Sequence, residues 1–179
     1  MNTNDGTIET RDDGTRVLRY ERRLRHSIDR VWAAITEPDQ IEAWLARAEL
    51  KVAEGGRVRL EWLNTDENGD PYGPVAVGTV TRVDPPRLIE YDTDVHGRLT
   101  WELRPEGDGT HLTFTAAAKV PDDQIATTLA GWHVHLDFLE DALDDGVRVD
   151  WTDWPRERWA AHHARYDAQA KAELAAERH

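Results

Sequence analysis

Residues 122–146 read DDQIATTLAGWHVHLDFLEDALDDG, and this stretch decides the fold. Ile125, Leu129, Trp132, Leu136, Leu139 and Leu143 recur at alternate spacings of four and three, the period of one buried helical face. Asp122 and Asp123 lie at the end where the helix dipole favours negative charge. Gly146 stands where helices commonly stop. Asp122–Asp145 therefore reads as one long amphipathic helix. Val134 and Phe138 form a smaller apolar patch on its opposite side, and something must cover it. The chain that follows offers a cover: VDWTDWP at 149–155, then an Ala-rich helix from about Pro155 to Glu177 carrying Trp159, Tyr166 and Leu174. A second copy of the chain, in a homodimer, is the other candidate.

Working outward from this helix, the upstream chain is rich in strands. Leu18, Tyr20, Arg22 and Leu24 alternate with Arg19, Glu21 and Arg23, which predicts a half-buried strand over Thr15–Leu24. Ser27 caps a short helix, Ile28–Thr36, and Pro38 opens a second through Ile41, Trp44 and Leu45. Strands are then expected at Arg47–Val52, Arg57–Leu63, Val75–Val83, Leu88–Thr93, Arg98–Arg104 and His111–Ala117. The last two flank Asp108-Gly109, a hairpin signal. Closely spaced strands without helices between them indicate an antiparallel meander rather than βαβ units.

The chain has 179 residues, enough for one domain with a sizeable core. Residues 1–14 read as a solvated acidic tail, 15–146 as the folded domain and 147–179 as a Trp-containing linker with a helical extension. A net charge of -13 argues against nucleic acid and anionic membranes as partners. No apolar run is long enough to insert in a membrane, and the polar N-terminus lacks a signal-peptide pattern. The expected compartment is the cytoplasm. Without cysteine, disulfides, thiolate metal sites and a cysteine nucleophile are excluded. With eight tryptophans against two phenylalanines, part of that count is expected to line a core, a pocket or a contact surface.

Four segments in this order resemble a known family. They are ERRLRHSIDRVWAAITEPDQIEAWL at 21–45, GTVTRVDPPRLIEYD at 78–92, WELRPEGDGTHLTFT at 101–115 and GWHVHLDFLEDAL at 131–143. The chain is similar to the START-like SRPBCC superfamily, and within it to the group of the C-terminal domain of the heat-shock protein 90 ATPase activator. The resemblance implies an α+β helix-grip fold (START-like, Bet v-like), a curved antiparallel sheet around a long C-terminal helix. It also implies an internal cavity for an apolar small molecule. Lipid carriers, polyketide cyclases and aromatases, and a chaperone-activating domain all belong to the superfamily. Fold alone therefore does not choose between them. The segment after residue 150 departs from the family pattern.

Candidate chemistry is sparse. His133 and His135 diverge by about 200° around a helix, and His133 with Asp137 supplies two ligands where a site needs more. No metal or other cofactor is expected. Asp66-Glu67-Asn68-Gly69-Asp70 imitates a calcium loop, but Pro71 and Val77 occupy its key positions. Ser27 is the only serine and is explained as a cap. No catalytic constellation stands out. His133, at the rim of the apolar stripe, is the one acid–base candidate for a cyclase-like enzyme. Arg22, on a core-facing parity, needs a carboxylate from the fold or from a ligand. Trp62, Tyr91 and Trp101 share inward strand parity, and Leu129, Trp132 and Leu136 face them from the helix. With His133 and Arg22 they form the expected lining for a hydrophobic, lipid-like or aromatic polyketide-like ligand; the other reading is that the same rings simply fill the core. A chaperone partner is the alternative drawn from the resemblance.

Overall fold

The computed structural model describes residues 3–177, apart from the side chains of Leu174 and Glu177. The expected role of Leu174 therefore lies outside the described residues. The strands are β1 (Thr7–Thr10), β2 (Arg16–Leu24), β3 (Arg47–Leu50), β4 (Arg57–Glu61), β5 (Ala76–Asp84), β6 (Leu88–Thr93), β7 (Gly97–Glu106) and β8 (Gly109–Ala118). The helices are α1 (Ile28–Thr36), α2 (Pro38–Ile41), α3 (Ile125–Asp145) and α4 (Arg156–Glu177). All eight strands form one antiparallel sheet in the order β1-β2-β8-β7-β6-β5-β4-β3. This is the helix-grip architecture. Among the described residues no helix is long and apolar enough to cross a membrane.

Alternation determines the sheet's inner face. Leu18, Tyr20, Arg22 and Leu24 are buried while the residues between them are exposed. Register then stacks aromatic groups: Phe114 on β8 lies opposite Tyr20 on β2 and Trp101 on β7. The stripe of α3 lies across them, and the Tyr20 hydroxyl donates to the Leu129 carbonyl at 2.8 Å. The Ser27 hydroxyl caps α1 by accepting from the Arg30 amide at 3.3 Å. Gly146, at φ 65°, ends α3 in the left-handed conformation that glycine adopts without strain.

Two expectations need correction. The acidic segment 1–14 is not a solvated tail in its described part, because Thr7–Thr10 adds an edge strand to β2 and pairs Ile8 with Leu18. Long-range partners hold it there. The Gly6 amide donates to the Tyr166 hydroxyl at 2.7 Å, and Arg22 Nη1 donates to the Asn4 carbonyl at 2.7 Å. Local polarity gave no sign of either. The long helix is also interrupted at its start, where Asp122–Gln124 form a 3-10 turn before Ile125.

The chain itself covers the Val134 and Phe138 patch. Both side chains are buried. The Trp151 ring meets Phe138 edge-on, and the Arg158 guanidinium lies 5.2 Å above the Phe138 ring. The Val149 amide donates to the Ala43 carbonyl at 2.9 Å and Trp151 Nε1 to Glu42 at 3.0 Å. The extension thus docks on α3 and on the α2–β3 connection together.

Candidate functional site

The aromatic layer between sheet and α3 is divided into a closed part and an open part. In the closed part, the Trp101 ring stacks on Phe114 at 4.0 Å and meets Trp44 edge-on at 5.7 Å. Trp101 Nε1 donates to the Tyr91 hydroxyl at 3.1 Å, and burial pushes the Tyr91 phenol up to about 12. Leu129 and Leu136 are equally enclosed. These residues are packed core.

The open part is a cavity of about 290 Å³, close to the lower end of the roughly 300–1,000 Å³ typical of small-molecule sites. Trp62 enters from the end of β4, His96 from the β6–β7 turn, and Trp132 and His135 from α3. Trp154 and Trp159 close it from the extension. Four of the chain's eight tryptophans therefore line one cavity. Trp62 lies 5.0 Å from His96, 5.8 Å from Trp132 and 5.4 Å from His135, measured between ring centres. A second space of about 190 Å³ lies beyond His96 and Trp132, bordered by Leu18, Val120 and Lys119.

Polar groups in the cavity are few and mostly committed. Trp62 Nε1 donates to His96 Nε2 at 2.9 Å, so His96 carries its proton on Nδ1. Nδ1 of His135 pairs with the Trp44 carbonyl at 2.9 Å. Burial pulls both imidazoles down to about 4 and keeps them neutral near pH 7. Trp154 Nε1 donates to the Thr65 carbonyl at 2.8 Å, which fixes that wall. Asn64 lines the same cavity, and its Oδ1 is buried away from accessible space without a hydrogen-bond partner. At Gly131 on α3, an added Cβ would meet nothing within 4 Å.

Arg22 and His133 lie elsewhere, in a buried ionic cluster between α3, α4 and the N-terminal segment. Arg22 is 1% exposed, with Glu140 Oε1 2.8 Å from its Nε and Asp137 Oδ1 3.8 Å from its Nη2. Arg22 thus finds its carboxylates within the fold. Nδ1 of His133 pairs with the Tyr166 hydroxyl at 2.7 Å, and its ring stacks on His162 at 3.8 Å. Burial pulls His133 down to about 4 against the opposing field of Asp137. Burial opposes ionisation of Asp137, yet the hydrogen bond from His162 and the fields of His133, His162 and Arg22 hold its carboxyl below the usual range.

Of the eight residues expected to line the ligand space, the structure brings Trp62 and Trp132 to the open cavity. Tyr91, Trp101, Leu129 and Leu136 sit in the closed core, and Arg22 and His133 in the ionic cluster. Sequence reasoning missed His96, His135, Asn64, Trp154 and Trp159. The clustered tryptophans of VDWTDWP were the available signal. His96 sits in a turn, where strand parity says nothing.

Residues 25–144 match the model of the family described as activator of Hsp90 ATPase homolog 1-like protein. Solved structures share the fold. CalU16 from Micromonospora echinospora is 23% identical, with a TM-score of 0.67 over 93% of this chain and 96% of its own. EF2215 from Enterococcus faecalis, described as a conserved protein of unknown function, is 15% identical, with a TM-score of 0.71 over 93% of this chain and 91% of its own. DynU16, described as a protein in the dynemicin biosynthetic locus, is 22% identical, with a TM-score of 0.62 over 75% of this chain and 50% of its own. No curated protein matches the chain. Alignments over 93% of the chain must include much of the segment after Gly146, so the extension is shared with these two relatives.

Proposed function

The chain belongs to the activator of Hsp90 ATPase homolog 1-like family, and within that frame we propose that it binds an apolar, ring-containing small molecule. The observation that carries this reading is the gathering of Trp62, Trp132, Trp154 and Trp159 around one open cavity. Indole walls offer flat apolar surface at little conformational cost and accept a ring by stacking or edge contact. The cavity suits a molecule of two or three fused or linked rings better than a long acyl chain. The place of DynU16 in a biosynthetic locus supports a small molecule as the occupant.

Binding without turnover fits the geometry best. His133, the acid–base candidate, does not border the cavity, and its Nδ1 is engaged by Tyr166. His96 and His135 do border it, but each already holds a hydrogen bond to the protein.

Gly131→Phe tests the proposal, because it places a ring in the cavity from a position with open space above it. Native mass spectrometry of the full chain purified from cells should show a retained small molecule, and tryptophan emission should be quenched by 2-naphthol. The Gly131→Phe chain should lose the retained mass and bind 2-naphthol more than about tenfold more weakly, with its circular dichroism unchanged. Equal quenching of both chains would sink the assignment of the cavity.

A further inference from the structure

We propose that His133, Asp137 and His162 form a binding site for a divalent transition cation of the zinc type, bridging α3 and α4. One donor atom from each residue lies within 4.8 Å of the other two. Asp137 Oδ2 is 2.7 Å from His162 Nε2, and Asp137 Oδ1 is 3.5 Å from His133 Nε2. Donors around a tetrahedral zinc, with bonds of about 2.0–2.1 Å, are themselves about 3.4 Å apart. The two Asp137 contacts bracket that spacing, and the His133 and His162 rings, stacked 3.8 Å apart at 26°, would turn out of the stack for both Nε2 lone pairs to meet on one ion. Water would complete the coordination.

Three features favour a cation here over a simple ion-pair network. First, the neighbouring arginines lie closer to other carboxylates. Arg22 has Glu140 at 2.8 Å and Arg158 has Asp141 at 2.7 Å, while each stands 3.8–3.9 Å from Asp137. Asp137 is thus the carboxylate of the group without a close arginine. Second, the charges leave room for one more. Among the described residues, and setting aside the Arg165–Asp5 pair, Arg22 and Arg158 face Asp137, Glu140 and Asp141, two positive charges against three negative.

Third, the outer partner of His133 suits a ligating imidazole. The Tyr166 oxygen takes the Gly6 amide proton and has a second acceptor site for an N–H on His133 Nδ1. That tautomer turns the His133 Nε2 lone pair toward Asp137 and His162, as a metal requires. The 3.5 Å approach of Nε2 to Asp137 is longer than a normal hydrogen bond. His162 Nε2 donates to Asp137 Oδ2 at 2.7 Å, so ligation through Nε2 would displace that proton to Nδ1, which is buried without a partner. Two imidazoles and a carboxylate, with no thiolate in the chain, suit zinc, nickel or copper better than magnesium or calcium.

Helix α3 alone offers only His133 and Asp137. The third ligand arrives when α4 folds across it, so a bound ion would fasten the extension to the helix-grip body. The experiment uses the untagged full chain, stripped with a chelator and then titrated with Zn2+ by calorimetry and with Co2+ by visible absorption. One equivalent of each should bind, Co2+ giving the intense bands of a tetrahedral site. Zinc should also slow hydrogen exchange along α4. His162→Gln and Asp137→Asn should each weaken zinc binding more than about tenfold, whereas His163→Gln should leave it unchanged.

No saturable equivalent, or equal binding by wild type and His162→Gln, would overturn the site. Should both ligand variants lose their native circular dichroism, the wild-type cobalt spectrum decides. Tetrahedral bands saturating at one equivalent support the site, and a weak octahedral spectrum refutes it.

Discussion

Trp101 and Trp62 leave the same sheet with the same inward parity, yet one is locked in a stack and the other borders open space. Around Trp101 the third element is the α1–α2 hairpin, which drives Trp44 into the layer and pins it by donation from its Nε1 to the Ala34 carbonyl at 2.9 Å. Around Trp62 the third element is the extension, and its Trp154 is held back on the Thr65 carbonyl. Arg156 reinforces that position with a bond of 3.0 Å to the same carbonyl. The sheet and α3 create the slot at both places. Whether the slot becomes core or cavity depends on how far the closing segment reaches into it.

The comparison breaks most directly by truncating each indole in turn. Trp101→Ala should cost about 3–5 kcal/mol in urea denaturation, since its neighbours cannot collapse into the void. Trp62→Ala should cost about 1–3 kcal/mol, because part of its surface already faces space and less packing is lost. If the two losses are equal within error, the region around Trp62 is as closed as that around Trp101, and the distinction fails.

Most of the fold was legible because it is periodic. The four-and-three spacing of α3, the alternation of β2 and the Asp108-Gly109 turn each carry a local signature, and the structure follows them to within a few residues at most ends. The site was less legible, because parity reports which face a residue occupies and not what stands opposite. Tyr91 and Trp101 were read correctly as inward and ended in packed core for that reason. The ionic cluster was hidden for a different one. His133 and Asp137 are neighbours along α3, but His162 and Asp5 join them from 25 residues beyond Asp137 and from the other end of the chain. Nothing local to α3 announces either.

A smaller effect should appear with pH, and it sharpens the contrast by reporting burial on both sides of α3. His96, His133 and His135 are each held down to about 4 by burial, whereas in the unfolded chain they titrate near 6.5. Between those values the unfolded chain binds more protons, so stability is complete above pH 6.5 and falls as pH drops toward 4. Glu140, which burial holds up, gains its proton early in the native state and partly offsets the loss at the acid end. His135→Gln should flatten the dependence of the urea midpoint on pH by about one proton. An unchanged slope would mean that this imidazole already takes up its proton in the folded chain.

The smallest expected change is also the most discriminating for the cavity. Gly131 sits in the middle of α3, where glycine costs a helix about 0.5–1 kcal/mol relative to alanine. A glycine at such a position is often there because another backbone passes close by, and a Cβ would then clash. Here the added carbon would meet nothing within 4 Å, so Gly131→Ala should stabilise the chain by about 0.5–1 kcal/mol. The methyl group would protrude into the space beside Trp132 and narrow it slightly, so affinity for a ring ligand should fall while stability rises. Opposite signs in those two measurements are what an open site predicts. In a packed core the methyl would overfill the layer, and stability would fall as well.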